Sequence, residues 1–162
     1  MKTEKLKLTH VNPYNIFIPK SIFKPFADKK MSRVKVALIF NNIKLDFYAA
    51  VKKDKISGDY KMMISKQKQK ELGLSLGDKF QMQLFEDTSK YGVEMPEELE
   101  AVLLSDYDAY QIFESLTAGK KRSIIYGVIR YKTSQQKIDK SLIMCENLKR
   151  GNHEPIKMFK LD

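Results

Sequence analysis

Arg33-Val34-Lys35-Val36-Ala37-Leu38-Ile39-Phe40-Asn41-Asn42-Ile43-Lys44-Leu45-Asp46-Phe47-Tyr48-Ala49 is the stretch from which the fold is read. Val34, Val36, Leu38 and Phe40 alternate with other residues, the pattern of a strand with one face buried. Asn41-Asn42 follows, and asparagine tolerates positive φ, so a tight hairpin is expected there. Leu45, Phe47 and Ala49 continue the alternation in a return strand. Upstream, Tyr14-Asn15-Ile16-Phe17-Ile18 is a short β-rich run that stops at Pro19. Downstream, Ser57-Gly58-Asp59 reads as a turn and Tyr60 to Ser65 as another strand. Lys66 to Leu72 is a short polar helix stopped by Gly73. Gly77-Asp78 then turns the chain into the alternating Phe80, Met82 and Leu84.

The second half reads as helix. Pro96 is placed as the first helical residue, with Glu97 and Glu98 facing the positive end of the dipole. Leu99, Val102 and Leu103 form the apolar stripe. Ser105 or Asp106 caps a second helix that carries Ala109, Ile112, Phe113 and Leu116 and ends near Gly119. Ile125, Val128 and Ile129 mark a third. Ile138, Leu142, Cys145 and Leu148 mark a fourth, with Gly151 just beyond its end. From Gly151 onward there is no periodicity, so the last residues either dock or fray.

A shift of 46 residues lines the first half up with itself. Tyr14 meets Tyr60, Ile18 meets Ile64, Lys20 meets Lys66, and Lys24 meets Lys70. Val34 meets Phe80, Val36 meets Met82, and Leu38 meets Leu84. Each unit reads strand, short helical turn, loop, strand, the signature of two related ββ units completing one barrel. The expected fold is α+β: a small double-split β-barrel over 1–90, a helical domain over 91–151 packed on it, and a tail over 152–162.

The 162 residues suit one domain, or a small domain with an appended piece. At 43% apolar and 31% charged, the composition excludes wholesale disorder. No apolar run nears the roughly 20 residues of a membrane span. The charged opening residues give no secretory-signal pattern. One cysteine and two histidines supply neither an internal disulfide nor an ordinary zinc site. A reducing cytoplasm, no metal and no cofactor are expected.

Net charge is +10, unevenly spread. Residues 1–85 carry 18 basic and 7 acidic residues, 86–118 carry 1 and 9, and 119–162 carry 11 and 4. Such basic blocks attract nucleic acid, anionic lipid or acidic protein, or simply keep the surface soluble. Most of the basic residues are lysine rather than arginine. Lysine is a weaker recognition signal than arginine, because its ammonium is strongly hydrated.

Candidate sites follow from this charge. Lys20, Lys24, Lys66 and Lys70 are repeat-related and would form two similar basic patches able to straddle a phosphate backbone. Lys120-Lys121-Arg122 lies where cations oppose the dipole of the third helix. Lys121 and Arg122, with Lys132 and Lys137, either pair with the acidic block or line an anion-binding groove. Cys145 reads as a small core hydrophobe. His10 and His153 read as surface residues, and the acidic run Glu94 to Glu100 as helix-dipole compensation. No nucleophile elbow, Walker loop, dinucleotide loop or Cys-x-x-Cys is present.

Ile64-Ser65-Lys66 and Leu72-Gly73-Leu74-Ser75-Leu76-Gly77-Asp78 resemble the swapped-hairpin units of AbrB- and MazE-like DNA-binding proteins. More broadly, residues from about 14 to 151 resemble the YdeI/OmpD-associated, bacteriocin-protection family. Ile18-Pro19-Lys20, Arg33-Val34-Lys35-Val36, Met95-Pro96-Glu97-Glu98-Leu99, Phe113-Glu114-Ser115-Leu116, Lys121-Arg122 and Asn147-Leu148-Lys149-Arg150-Gly151 carry that resemblance. It implies a split β-barrel with a helical appendage and no assigned chemistry. The expected function is therefore a non-enzymatic binding protein with an anionic partner, nucleic acid first. The alternative is a peptide- or protein-binding stress or resistance factor. An enzyme ranks last, and oligomeric state stays open.

Overall fold

Arg33–Phe40 and Ile43–Lys53 form the expected hairpin, turning on Asn41 at φ 49° and Asn42 at φ 62°. Two successive left-handed residues make a turn whose twist matches that of the flanking strands. Val34, Val36 and Leu38 face Ala49, Phe47 and Leu45 across it, so one face of the hairpin is apolar. The computed structural model describes residues 1–161, which divide into two units, Met1–Thr88 and the residues from Ser89 onward.

The first unit contains β1 (Leu6–Thr9), β2 (Asn15–Ile18), α1 (Lys20–Asp28), β3 (Arg33–Phe40), β4 (Ile43–Lys53), β5 (Tyr60–Met63), α2 (Lys66–Leu72) and β6 (Lys79–Glu86). All pairings are antiparallel, in the order β1-β6-β3-β4-β5-β2. β4 is the longest strand and makes the sheet curl. Arg33 to Phe40 pair with its Ile43–Ala50 part, and β5 pairs with Val51 to Lys53. The result is a curled six-stranded half-barrel with β1 and β2 at its edges. Phe23 and Phe26 of α1 and Leu72 of α2 are buried with Val36, Leu38, Met82 and Leu84 in its core. Gly73, at φ 70°, ends α2 in the left-handed conformation that favours glycine. The sequence pattern gives no sign of β1. Its four residues are ordered by pairing with β6, 70 to 76 positions along the chain.

The second unit contains α3 (Glu97–Ser105), α4 (Tyr107–Ser115), α5 (Ala118–Ile129), α6 (Ser134–Lys149) and a 3-10 turn at Pro155–Lys157. Side-chain caps set the helix starts. Asp106 accepts from the Ala109 N–H at 3.2 Å, Thr117 from the Lys120 N–H at 3.3 Å, and Thr133 forms a capping box with Gln136. The Thr117 cap corrects the sequence reading: α4 ends at Ser115, and Gly119 lies in the first turn of α5. Leu99, Leu103, Phe113, Ile124, Ile125, Val128, Met144 and Cys145 form the core.

α6 departs from its apolar spacing. Leu142 is exposed, whereas Ser141 and Asn147 are buried. The Ser141 hydroxyl donates to the Lys137 carbonyl at 2.7 Å. The Asn147 amide donates to the carbonyls of Met158 at 2.7 Å and Lys160 at 2.9 Å. A buried amide satisfied in this way docks the C-terminal segment, and Met158 is fully buried. Among the described residues no helix is long and apolar enough to cross a membrane.

Candidate functional site

The excess charge belongs almost wholly to the β unit. Met1–Thr88 carries 18 basic and 9 acidic residues, a net +9, whereas the residues from Ser89 onward carry 12 and 11, a net +1. Lys20 and Lys24 stand exposed on α1, and Lys66 and Lys70 stand exposed on α2. The Lys20 backbone N–H donates to Asp59 Oδ1 at 2.9 Å, tying the start of α1 to the start of β5. Lys24 Nζ lies 2.6 Å from Asp28 Oδ2. The ammonium groups of Lys20, Lys66 and Lys70 make no ion pair among the described residues.

The two patches are separate. Ile18, which leads into α1, pairs with Tyr60, and Met63, which leads into α2, pairs with Asn15. The helices therefore begin at opposite ends of the β2–β5 ribbon, about 10 Å apart along the strands. Lys20 and Lys66 are the first residues of their helices, and neither helix has an acid in its first turn. Cations there oppose the macrodipole, so helix stability does not explain them.

The second cation set is spread along α5 and onto α6. Lys121 is in the second turn of α5, with Nζ 3.8 Å from Glu114 Oε2. Arg122 is half-buried beside it. Lys132 lies in the turn before α6, where its backbone N–H donates to Gln136 Oε1 at 3.2 Å. Lys137 faces Glu98. That carboxyl is held below its ordinary range first by its own backbone N–H, then by the Ser134 hydroxyl and the Lys137 charge. About 12 Å of helix axis separates Lys121 from Ile129, the last residue of α5, and Lys132 follows the helix end. Two of the four, Lys121 and Lys137, thus face acids of the 86–118 block.

A polar cluster that the sequence did not single out surrounds Glu114. The Tyr91 hydroxyl donates to Glu114 Oε1, and Lys90 Nζ lies 3.4 Å from the same oxygen. Lys90 Nζ also donates to the Tyr110 hydroxyl at 3.3 Å. Burial pushes the Glu114 carboxyl up, but the Tyr91 hydrogen bond and the charges of Lys90 and Lys121 outweigh it and hold the group ionised. Burial, then Glu114 and Tyr110, raise the Tyr91 phenol. The carboxylate is met by one hydroxyl and two ammonium groups and anchors the start of the helical unit. Only the spacing of opposite charges hinted at this cluster, and helix packing decides which charges meet.

Cys145 is buried, and burial followed by the Asp106 charge pushes its thiol up to about 12. A thiol so placed stays protonated and is a poor nucleophile. His153 is half-buried, and the reading of His10 as a surface residue is corrected, since it is 1% exposed. Its backbone N–H donates to the Asp78 carbonyl and its carbonyl accepts from the Gly77 N–H, both at 2.8 Å, drawing the residue inward beside Phe80. Among the described residues, no group of three or more His, Cys, Asp or Glu is placed to hold a metal ion.

This geometry defines a two-unit α+β protein with a strongly basic sheet unit and a nearly neutral helical unit. Residues 92–151, all within the helical unit, match the family model described as bacteriocin-protection, YdeI or OmpD-associated. No curated protein and no solved structure matches the chain.

Proposed function

We propose that the chain is a non-enzymatic, cytoplasmic binding protein of the bacteriocin-protection type, and that its β unit engages nucleic acid through the phosphate backbone. The partition of charge carries this reading: +9 on the β unit against +1 on the helical unit. The lysines at the starts of α1 and α2, exposed and without an ion pair among the described residues, are placed to release counterions from a polyanion.

The pairing pattern supports a duplicated, AbrB-like double-split barrel. α1 and α2 start 46 residues apart, as do β3 and β6. β2 pairs with β5 about Ile16↔Met62, and β3 with β6 about Ala37↔Gln83, again residues 46 apart. β4 flanks β3 as β1 flanks β6, which suggests β1-β2-α1-β3 and β4-β5-α2-β6 as the repeated units. A pseudo-two-fold of this kind would present the two lysine patches as equivalents. The reading as a non-enzyme is supported by the sealed Cys145 and by Glu114 being engaged by Tyr91, Lys90 and Lys121.

Anisotropy of labelled random-sequence duplex and single-stranded DNA over a salt series tests the proposal. Micromolar binding whose logarithm falls with log salt by about 0.9 per phosphate on duplex is expected. Absence of binding at low salt would overturn it.

A further inference from the structure

We infer that the helical unit holds a second site, for a small organic acid with an apolar body, between α5 and the docked C-terminal segment. A cleft of about 620 Å³ opens there, within the size range of small-molecule sites. Its floor is aromatic. Phe159 lies over Gly127, where an added Cβ would come within 2.4 Å of the ring, and Tyr131 meets Phe159 edge-on at 6.3 Å. Its walls are the outer face of α5 and the 3-10 turn. They leave apolar surface uncovered: Ile156 is 93% exposed and Tyr126 is 46% exposed.

The C-terminal wall is fixed. Asn147 holds the carbonyls of Met158 and Lys160, and Lys140 Nζ donates to the Phe159 carbonyl at 3.4 Å. A wall held at three consecutive residues preserves the cleft without an occupant, which lowers the ordering cost of binding.

Charge selects the class of occupant. Arg130 and Lys160 line the cleft, and neither makes an ion pair among the described residues. Glu154 lines it too, so among the described residues two cations against one carboxylate leave a positive rim. Aromatic and aliphatic surface beside an unpaired guanidinium suits a carboxylate joined to a hydrocarbon or aromatic body. This site is independent of the polyanion reading, because it lies wholly within the helical unit.

Octanoate, with 1-octanol as its uncharged counterpart, tests the inference by amide chemical-shift titration of the full chain. Octanoate should shift amides of Ser123–Tyr131 and Glu154–Lys160 and bind roughly tenfold tighter than octanol. Arg130→Gln with Lys160→Gln should abolish that preference while octanol binding persists, and Glu154→Gln should tighten octanoate. All three residues are exposed, so these variants keep the fold. Equal binding of acid and alcohol, shifts confined to other residues, or no shifts at millimolar octanoate would overturn the inference.

Discussion

His10 Nε2 lies 3.0 Å from Gln69 Oε1, joining two residues 59 positions apart. Gln69 Nε2 donates to the carbonyls of Pro13 at 2.8 Å and Ile64 at 3.2 Å, which turns its Oε1 toward the imidazole. His10 therefore donates from Nε2. One glutamine thus ties the β1–β2 loop to α2. Replacing Gln69 by Ala strands a buried donor and two carbonyls and should cost about 2 kcal/mol in urea denaturation. A double-mutant cycle with His10→Ala should show coupling of at least about 0.5 kcal/mol.

Asp106 caps α4 through the Ala109 N–H and lies 2.8 Å from Lys149 Nζ. The Lys149 hydrogen bond, ahead of the cap, holds the Asp106 carboxyl below its ordinary value. A lowered folded value means its stabilisation is present above the unfolded pKa, near 3.9, and is lost as pH falls through the folded one. Asp106→Asn keeps a cap and should remove that acid-side loss, whereas Asp106→Ala should cost about 1 kcal/mol near neutrality. Stability measured from pH 2 to 7 for the three proteins separates the two roles.

Cys145 should resist a disulfide reagent at pH 8 in the folded protein and react as denaturant opens the helical unit. Fast labelling without denaturant would contradict its burial.

Gly127→Ala should leave α5 helical by circular dichroism, since alanine is the better helix former by about 1 kcal/mol. The new Cβ has only the Phe159 ring to displace, so Phe159 and Tyr131 resonances should shift. Loss of the helical signal would show that the C-terminal segment is rigid beyond its ring contact.

Local chemistry made much of the fold legible. The Asn41-Asn42 turn and the stop at Gly73 each follow from the preference of one residue type, and the structure chooses Asp106 over Ser105 as the cap of α4. β1 and buried His10 did not show, because pairing across the sheet and bonds to Gly77 and Asp78 decide them. Leu142 misled because Ser141 and Asn147, polar residues with internal partners, took the inward positions. For the candidate site, the sequence marked the lysines of α1 and α2. It did not reveal that Lys121 meets Glu114, or that Arg130 and Lys160 share a cleft.

Duplex-DNA anisotropy across a salt series, run on two quadruple variants, separates the two sets of cations. Lys20→Gln, Lys24→Gln, Lys66→Gln and Lys70→Gln together should weaken binding and flatten the log–log slope by about 0.9 for each phosphate no longer neutralised. Lys121→Gln, Arg122→Gln, Lys132→Gln and Lys137→Gln together should leave that slope unchanged, because the excess charge lies on the other unit. An unchanged slope in the first variant, or an equal loss in both, would contradict the assignment of polyanion binding to the β unit.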